Sequence, residues 1–136
     1  MTATTSILVV DDDSDLRRLL GRYLSGAGYA VSEATNGNEA IAAYREHPAD
    51  LVITDMYMPE SDGVDVIMRL RSEFPAARFV AISGGGFADS PHVLEIARSA
   101  GAVCTLPKPF TKASLLQTLT DCLASQRAGA VDSNVD

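Results

Sequence analysis

The sequence predicts an α/β fold, a doubly wound parallel sheet of five strands with helices on both faces. Short apolar runs alternate with stretches of helical periodicity five times along the chain. The clearest apolar runs are continuous, which is typical of parallel strands buried on both sides. Because crossovers between parallel strands are right-handed, the intervening helices are expected to cover both faces of the sheet.

Three continuous apolar runs predict the inner strands, and two weaker runs predict the outer ones. These strands are expected at residues 7–10, 51–53 and 79–82 for the inner set, and at 29–31 and 103–106 for the outer set. The first helix has its apolar face from Leu16 to Leu24 and can begin at an N-cap formed by Asp13 or Ser14. The other helices are expected at residues 38–46, at 64–74, from Ser90 onwards and at 115–123.

The composition limits the classes of function. Against 11 Lys and Arg the chain has 18 Asp and Glu, a net charge of −7, and an acidic domain repels nucleic acids and anionic lipids. No apolar run approaches the roughly 20 residues that span a bilayer. Residues 1–6 do not have the pattern of a signal peptide. Cys104 and Cys122 lack the spacing of zinc ligands or of a disulfide framework, so we expect reduced thiols in a cytoplasmic protein.

One folded domain is expected over residues 1–126. The length of 136 residues suits a single hydrophobic core, and no internal repeat or long linker divides the chain. Residues 127–136 are mostly small and polar and offer little surface to bury, so they are predicted to form a flexible C-terminal tail.

Polar side chains follow the predicted strands at the points where the strands end. They are Asp11, Asp12 and Asp13 after the first strand, Asp55 after the third, Ser83 after the fourth and Lys108 after the fifth. Ligands of doubly wound sheets bind at the carboxyl ends of the strands, so these groups are expected at one rim. Clustered carboxylates repel one another without a cation, and oxygen ligands favour Mg²⁺. Asp55 would then be a nucleophile that forms an acyl phosphate, while Ser83 and Lys108 would bind the phosphoryl oxygens.

Five short segments, most of them near the end of a predicted strand, form an ordered set. They are ILVVDDD at 7–13, LVITDMYMP at 51–59, the Asp62-Gly63 pair, AISGG at 81–85 and LPKPF at 106–110. Together they resemble the sequence motifs of response-regulator receiver domains over about residues 5 to 125. One such motif would be weak, but all five in order are highly specific. The resemblance implies a flavodoxin-like strand order, 2-1-3-4-5.

The resemblance implies a phosphoacceptor and a metal site. Asp55 matches the aspartate that accepts the phosphoryl group. Asp11 and Asp12 match the acidic pair that binds Mg²⁺, and Asp55 and the backbone carbonyl of Tyr57 match further ligands of the same ion. Asp13 is not assigned to the metal and is expected to cap the first helix.

Three further positions are implied to bind the phosphoryl group or to move with it, namely Ser83, Gly84 and Lys108. In the family the peptide that corresponds to Lys108-Pro109 is commonly cis. Many receiver domains have Tyr or Phe where this chain has Thr105, and threonine is too small to fill the space of a ring. Thr105 is the candidate residue of the output switch at this position. Because it lacks a ring, the glycine-rich segment after Ser83 and the helix predicted beyond it are expected to take over the movement.

The resemblance implies a signalling module whose only chemistry is its own phosphorylation and dephosphorylation, and not an enzyme. A histidine kinase or phosphotransfer protein would donate the phosphoryl group, and a downstream protein would bind one of two states better. Neither nucleic acid nor membrane is expected as a direct partner. The chain is expected to be a stand-alone receiver domain, and the sequence leaves open whether it forms a homodimer.

Three alternatives compete with this interpretation. An aspartyl-phosphate phosphatase needs a second acid two residues after the nucleophile, where this chain has Tyr57. A flavodoxin-like cofactor binder would need Ser, Thr and Gly in its first loop, where the acids at 11–13 would repel a phosphate. An interaction module that works without phosphorylation would not need Asp55 together with Lys108.

Overall fold

The computed structural model describes residues 4–56, 63–83 and 104–135. Within these residues five strands form one parallel sheet in the order β2-β1-β3-β4-β5. The strands are β1 (Ser6–Val10), β2 (Ala30–Ala34), β3 (Leu51–Asp55), β4 (Phe79–Ser83) and β5 (Cys104–Pro107). The predicted fold class and strand order are confirmed. Strand β2 begins one residue later than its apolar run indicates and continues through the polar residues Ser32 and Glu33. The predicted start of the last strand, at residue 103, falls outside the described residues.

Four helices lie within the described residues. They are α1 (Ser14–Gly26), α2 (Gly37–Glu46), α3 (Gly63–Glu73) and α4 (Lys112–Val135). The helix predicted from Ser90 onwards falls outside the described residues. None of the described helices has both the length and the apolar character needed to cross a bilayer.

The central strand β1 shows how the sheet supports two hydrophobic cores. Ile7 and Val9 point to one face and pack in a core with α1 and α4. Leu8 and Val10 point to the other face and pack in a core with α2 and α3. Alternate residues of a strand face opposite sides, so a continuous apolar run is what a strand covered on both faces requires. These cores fix the carboxyl ends of β1 and β3 at the same edge of the sheet.

The turn between β1 and α1 is closed by Asp13. Its carboxylate accepts hydrogen bonds from the backbone N–H groups of Asp15 and Leu16, at 3.0 and 3.3 Å. These bonds satisfy donors that the first turn of a helix leaves without an intrahelical partner. The predicted capping role of Asp13 is confirmed, and the aspartates at 11 and 12 are left for another role.

The C-terminal helix is longer than the sequence predicts. A helix was expected at residues 115–123, and α4 runs from Lys112 to Val135. Alanine is frequent in this segment, with Ala124, Ala128 and Ala130, and alanine is the strongest helix former. The apolar side chains that anchor α4 to the sheet lie earlier, at Leu115, Leu119 and Cys122. Flexibility of residues 127–136 stays a prediction.

Candidate functional site

The carboxyl ends of four adjacent strands, β1, β3, β4 and β5, bring the predicted site residues to one edge of the sheet. Asp11 follows β1 directly, Asp55 is the last residue of β3, and Ser83 is the last residue of β4. Lys108 follows β5, whose final residue pairs with Ser83 in the sheet. Parallel pairing in register places these four positions side by side, as the strand-end rule predicts.

A cluster of three carboxylates lies at this edge. Oxygen atoms of Asp11, Asp12 and Asp55 all lie within 4.8 Å of one another. Asp11 and Asp55 are buried, whereas Asp12 is exposed. Three negative charges at such short distances oppose one another, and burial of two of them weakens the screening by solvent.

Asp11 is fixed by three hydrogen bonds. Its backbone N–H donates to the carbonyl of Ala34 at 3.1 Å, and its own carbonyl accepts from Arg17 Nη1 at 2.8 Å. Its side-chain Oδ1 accepts from the backbone N–H of Asp13 at 2.9 Å. Its Oδ2 is buried and, among the described residues, finds no hydrogen-bond donor.

The pKa of Asp11 reflects this environment. Burial, together with the negative charges of Asp55 and Asp12, raises the pKa of Asp11 from 3.8 to about 6. The hydrogen bond from Asp13 and the charge of Lys108 act in the opposite direction but do not cancel the effect. The ionised form of Asp11 is therefore costly in the absence of a bound cation.

Lys108 provides the positive charge at the site. Its Nζ donates to Asp55 Oδ2 at 3.2 Å, and its side chain is 32% exposed. The Lys108-Pro109 peptide is cis, as the resemblance implies. Lys108 and Asp55 are 53 positions apart in sequence, so only the order of the strands brings them together.

The carboxylate cluster fits a divalent cation. Three oxygens converge, and one buried oxygen has no hydrogen-bond donor within the described part of the chain. An acid with a raised pKa would release its proton on binding a metal. An all-oxygen ligand set suits Mg²⁺, which is usually bound by one or two carboxylates, keeps several waters and takes phosphate oxygens as further ligands.

Some predicted site residues are not fully described by the structure. Tyr57 and Gly84 lie outside the described residues. Ser83 is placed as the end of β4, but only its backbone is described. Thr105 is half-buried in β5 and pairs with Ala81, and its role in output stays a prediction.

Arg17 is a residue of this edge that the sequence motifs did not reveal. It lies in the first turn of α1, contacts the Asp11 carbonyl and pairs with Glu33 of β2 at 2.9 Å. The sequence contains one indication of this contact. A basic residue lies one turn into the first helix, a lone acid lies in the neighbouring outer strand, and both are close to the carboxyl end of β1.

Comparison with known proteins identifies the family. A family model described as "Response regulator receiver domain" matches residues 7–120. This chain belongs to that family. Among its relatives, the chemotaxis protein CheY of Thermotoga maritima is 37% identical over 114 residues, which cover 83% of this chain and 92% of CheY. The transcriptional regulatory protein ResD of Bacillus subtilis is 47% identical over 72 residues.

Solved structures give the same result. The chemotaxis protein CheY4 of Vibrio cholerae superimposes with a TM-score of 0.82 at 30% identity, over 88% of this chain and 99% of CheY4.

The match to ResD covers 53% of this chain and only 30% of ResD, so the receiver domain corresponds to a part of that longer relative. The chain is therefore a response-regulator receiver domain with a phosphoacceptor role in two-component signalling. Receiver domains generally bind Mg²⁺ and act with histidine kinases or downstream effectors.

Proposed function

We propose that Asp55 is the phosphoacceptor of this receiver domain. The observation that carries the proposal is the contact of 3.2 Å between Lys108 Nζ and Asp55 Oδ2 at the edge where the carboxylates of Asp11 and Asp12 converge. A buried carboxylate beside an ammonium group and two further acids is suited to receive a phosphoryl group.

The chemistry of the step follows from the groups present. An oxygen of the ionised Asp55 carboxylate attacks the phosphorus of the donor and forms the new P–O bond of an acyl phosphate. The bond from phosphorus to the donor breaks, and its electron pair leaves with the donor. Asp55 gives up no proton because it reacts as a carboxylate. The Lys108 ammonium is close enough to follow the negative charge onto the transferred phosphoryl oxygens.

Asp11, Asp12 and Asp55 are the residues proposed to bind Mg²⁺, with the backbone carbonyl of Tyr57 as a further ligand. The buried Oδ2 of Asp11, for which the residues that the structure describes offer no hydrogen-bond donor, supports this assignment. When bound, the ion neutralises part of the charge on the acids and on the phosphoryl group. Asp11 and Asp12 provide the negative charge that retains the ion, and Lys108 stays available for the phosphoryl oxygens.

Ser83 and Gly84 are proposed to contact the phosphoryl group after transfer. The position of Ser83 at the end of β4, beside β3 and β5, supports this role. Phosphorylation adds about −1.5 to −2 charge, which would attract Lys108 and a hydroxyl donor. Thr105 lies on the neighbouring strand β5 and lacks an aromatic ring. Other residues are therefore proposed to transmit the effect of phosphorylation to a partner.

We also propose partners and a cellular location for this receiver domain. A histidine kinase or phosphotransfer protein would donate the phosphoryl group, and a downstream protein would bind the phosphorylated state better. No enzymatic activity toward other molecules is proposed. A cytoplasmic location is supported by Cys104 and Cys122, which are free thiols packed in or against one core.

Incubation with a small phosphoryl donor tests the function. Intact mass spectrometry of the full chain should show one added phosphoryl group in buffer with Mg²⁺, and much less after Mg²⁺ is removed with a chelator. Addition of more than one group, or equal addition with and without Mg²⁺, would contradict the proposal.

A further inference from the structure

The Asp11 peptide is held from two sides by groups that do not belong to the acid cluster. On one side its N–H donates to the carbonyl of Ala34 at the end of β2, at 3.1 Å. On the other side its carbonyl accepts from Arg17 Nη1 at 2.8 Å. With Oδ1 occupied by the Asp13 N–H, Oδ2 is the oxygen left to face a cation. The contact with Arg17 therefore helps to fix the backbone of the residue that presents Oδ2.

Arg17 is itself fixed by Glu33. Its Nε donates to Glu33 Oε1 at 2.9 Å, while Nη1 serves Asp11. The side chain of Arg17 is 16% exposed and that of Glu33 is 46% exposed, so the pair is partly shielded from solvent. A planar guanidinium can serve two acceptors in fixed directions at once, whereas a lysine ammonium is a point charge on a flexible stem.

The charge of Glu33 has a second consequence. An uncompensated guanidinium on the residue that binds Asp11 would repel a divalent cation at the neighbouring carboxylate. The Glu33 carboxylate cancels that charge at 2.9 Å. The pair thus orients Asp11 and adds no net positive charge to the site.

We propose that Arg17 is a positioning residue for the divalent cation, acting through the carbonyl of Asp11, and that Glu33 fixes and neutralises it. This inference rests on the proposed cation site. Groups that orient a metal ligand without touching the metal affect its affinity by about 10- to 100-fold. Arg17 is expected to act at the lower end of that range, because it holds the backbone of Asp11 rather than its carboxylate.

Mg²⁺ titration of the full chain tests the inference. The dissociation constant is measured from amide chemical shifts for the wild type, Arg17→Gln, Arg17→Lys and the control Arg18→Gln. Arg18 is adjacent and exposed, so it matches the change in charge without the contact. Arg17→Gln is expected to raise the dissociation constant about 10-fold. Arg17→Lys should restore it only in part, and Arg18→Gln should stay within about twofold because exposed charges are screened.

A second readout separates positioning from a general effect on folding. In the metal-free protein, the carbonyl carbon shift of Asp11 should change in Arg17→Gln and not in Arg18→Gln. A changed Asp11 shift with wild-type Mg²⁺ affinity would overturn the inference. If Arg17→Gln does not fold, the Mg²⁺ dissociation constant of Glu33→Gln is measured instead. A raised dissociation constant supports the inference, and a wild-type value overturns it. A wild-type chain that binds no Mg²⁺ would overturn the cation site itself, which is a distinguishable result.

Discussion

Lys108 Nζ lies 3.2 Å from Asp55 Oδ2 and joins the residue after β5 to the last residue of β3. Strand β4 lies between β3 and β5 in the sheet, so this contact passes over its carboxyl end. The ammonium faces a carboxylate that is already close to Asp11 and Asp12. The contact offsets part of the negative charge of the carboxylate cluster. It also places the Lys108 ammonium where a phosphoryl group on Asp55 would lie.

Replacement of Lys108 by alanine should destabilise the metal-free protein. The three acids would lose this opposing charge, and a cost of about 1–2 kcal/mol is expected, because Lys108 is partly exposed and its charge is partly screened. Urea unfolding in a chelating buffer measures the change in the free energy of unfolding. Mg²⁺ should stabilise Lys108→Ala more than it stabilises the wild type.

Lys112 provides the matched control for this experiment. It is the other lysine of the chain, and it is exposed at the start of α4. Lys112→Ala should change the free energy of unfolding by less than about 0.5 kcal/mol. If Lys108→Ala and Lys112→Ala are equally stable without Mg²⁺, the contact between Lys108 and Asp55 does not offset the negative charge of the three acids.

The raised pKa of Asp11 predicts a dependence of stability on pH. The folded protein has a pKa of about 6 at Asp11, above the value of 3.8 for an unfolded chain. The folded state therefore binds this proton more tightly, and the stability that it contributes is present below pH 3.8 and is lost as the pH rises through about 6. Without Mg²⁺, Asp11→Asn should be more stable than the wild type at pH 7 by about 1–3 kcal/mol.

Urea unfolding from pH 4 to pH 8 checks this prediction. The difference between Asp11→Asn and the wild type should vanish near pH 4 and should shrink when Mg²⁺ is added at pH 7. Asp121→Asn, at an exposed position of α4, serves as the control and should follow the wild type. Parallel curves for Asp11→Asn and the wild type would contradict the effect of burial on Asp11.

Asp12 and Asp13 are adjacent but should respond in opposite ways. Asp13 caps α1, so Asp13→Ala should lower the free energy of unfolding by about 1 kcal/mol and leave Mg²⁺ affinity nearly unchanged. Asp12 is exposed and belongs to the carboxylate cluster, so Asp12→Ala should weaken Mg²⁺ binding with little loss of stability. Asp13→Ser should keep the cap. Weaker Mg²⁺ binding in Asp13→Ser would place Asp13 in the metal site.

The main site residues could be predicted from the sequence because their positions follow from the backbone. Asp11, Asp55 and Lys108 each come at or just after the end of a strand, and parallel strands end at one edge. The contact of Arg17 with Glu33 could not be predicted in this way. It depends on the directions of two long side chains on different elements, 16 positions apart. The extent of α4 was missed because local helix propensity outweighed the lack of apolar surface near its end.

The most direct test of the account locates the phosphoryl group. The full chain is phosphorylated with a small donor in Mg²⁺, reduced with borohydride to convert an aspartyl phosphate to homoserine, and digested for peptide mass spectrometry. Homoserine is expected at position 55 in the wild type and in Asp121→Asn, and no labelled position is expected in Asp55→Asn. Homoserine at another aspartate of the wild type, or undiminished labelling of Asp55→Asn, would contradict the assignment of Asp55.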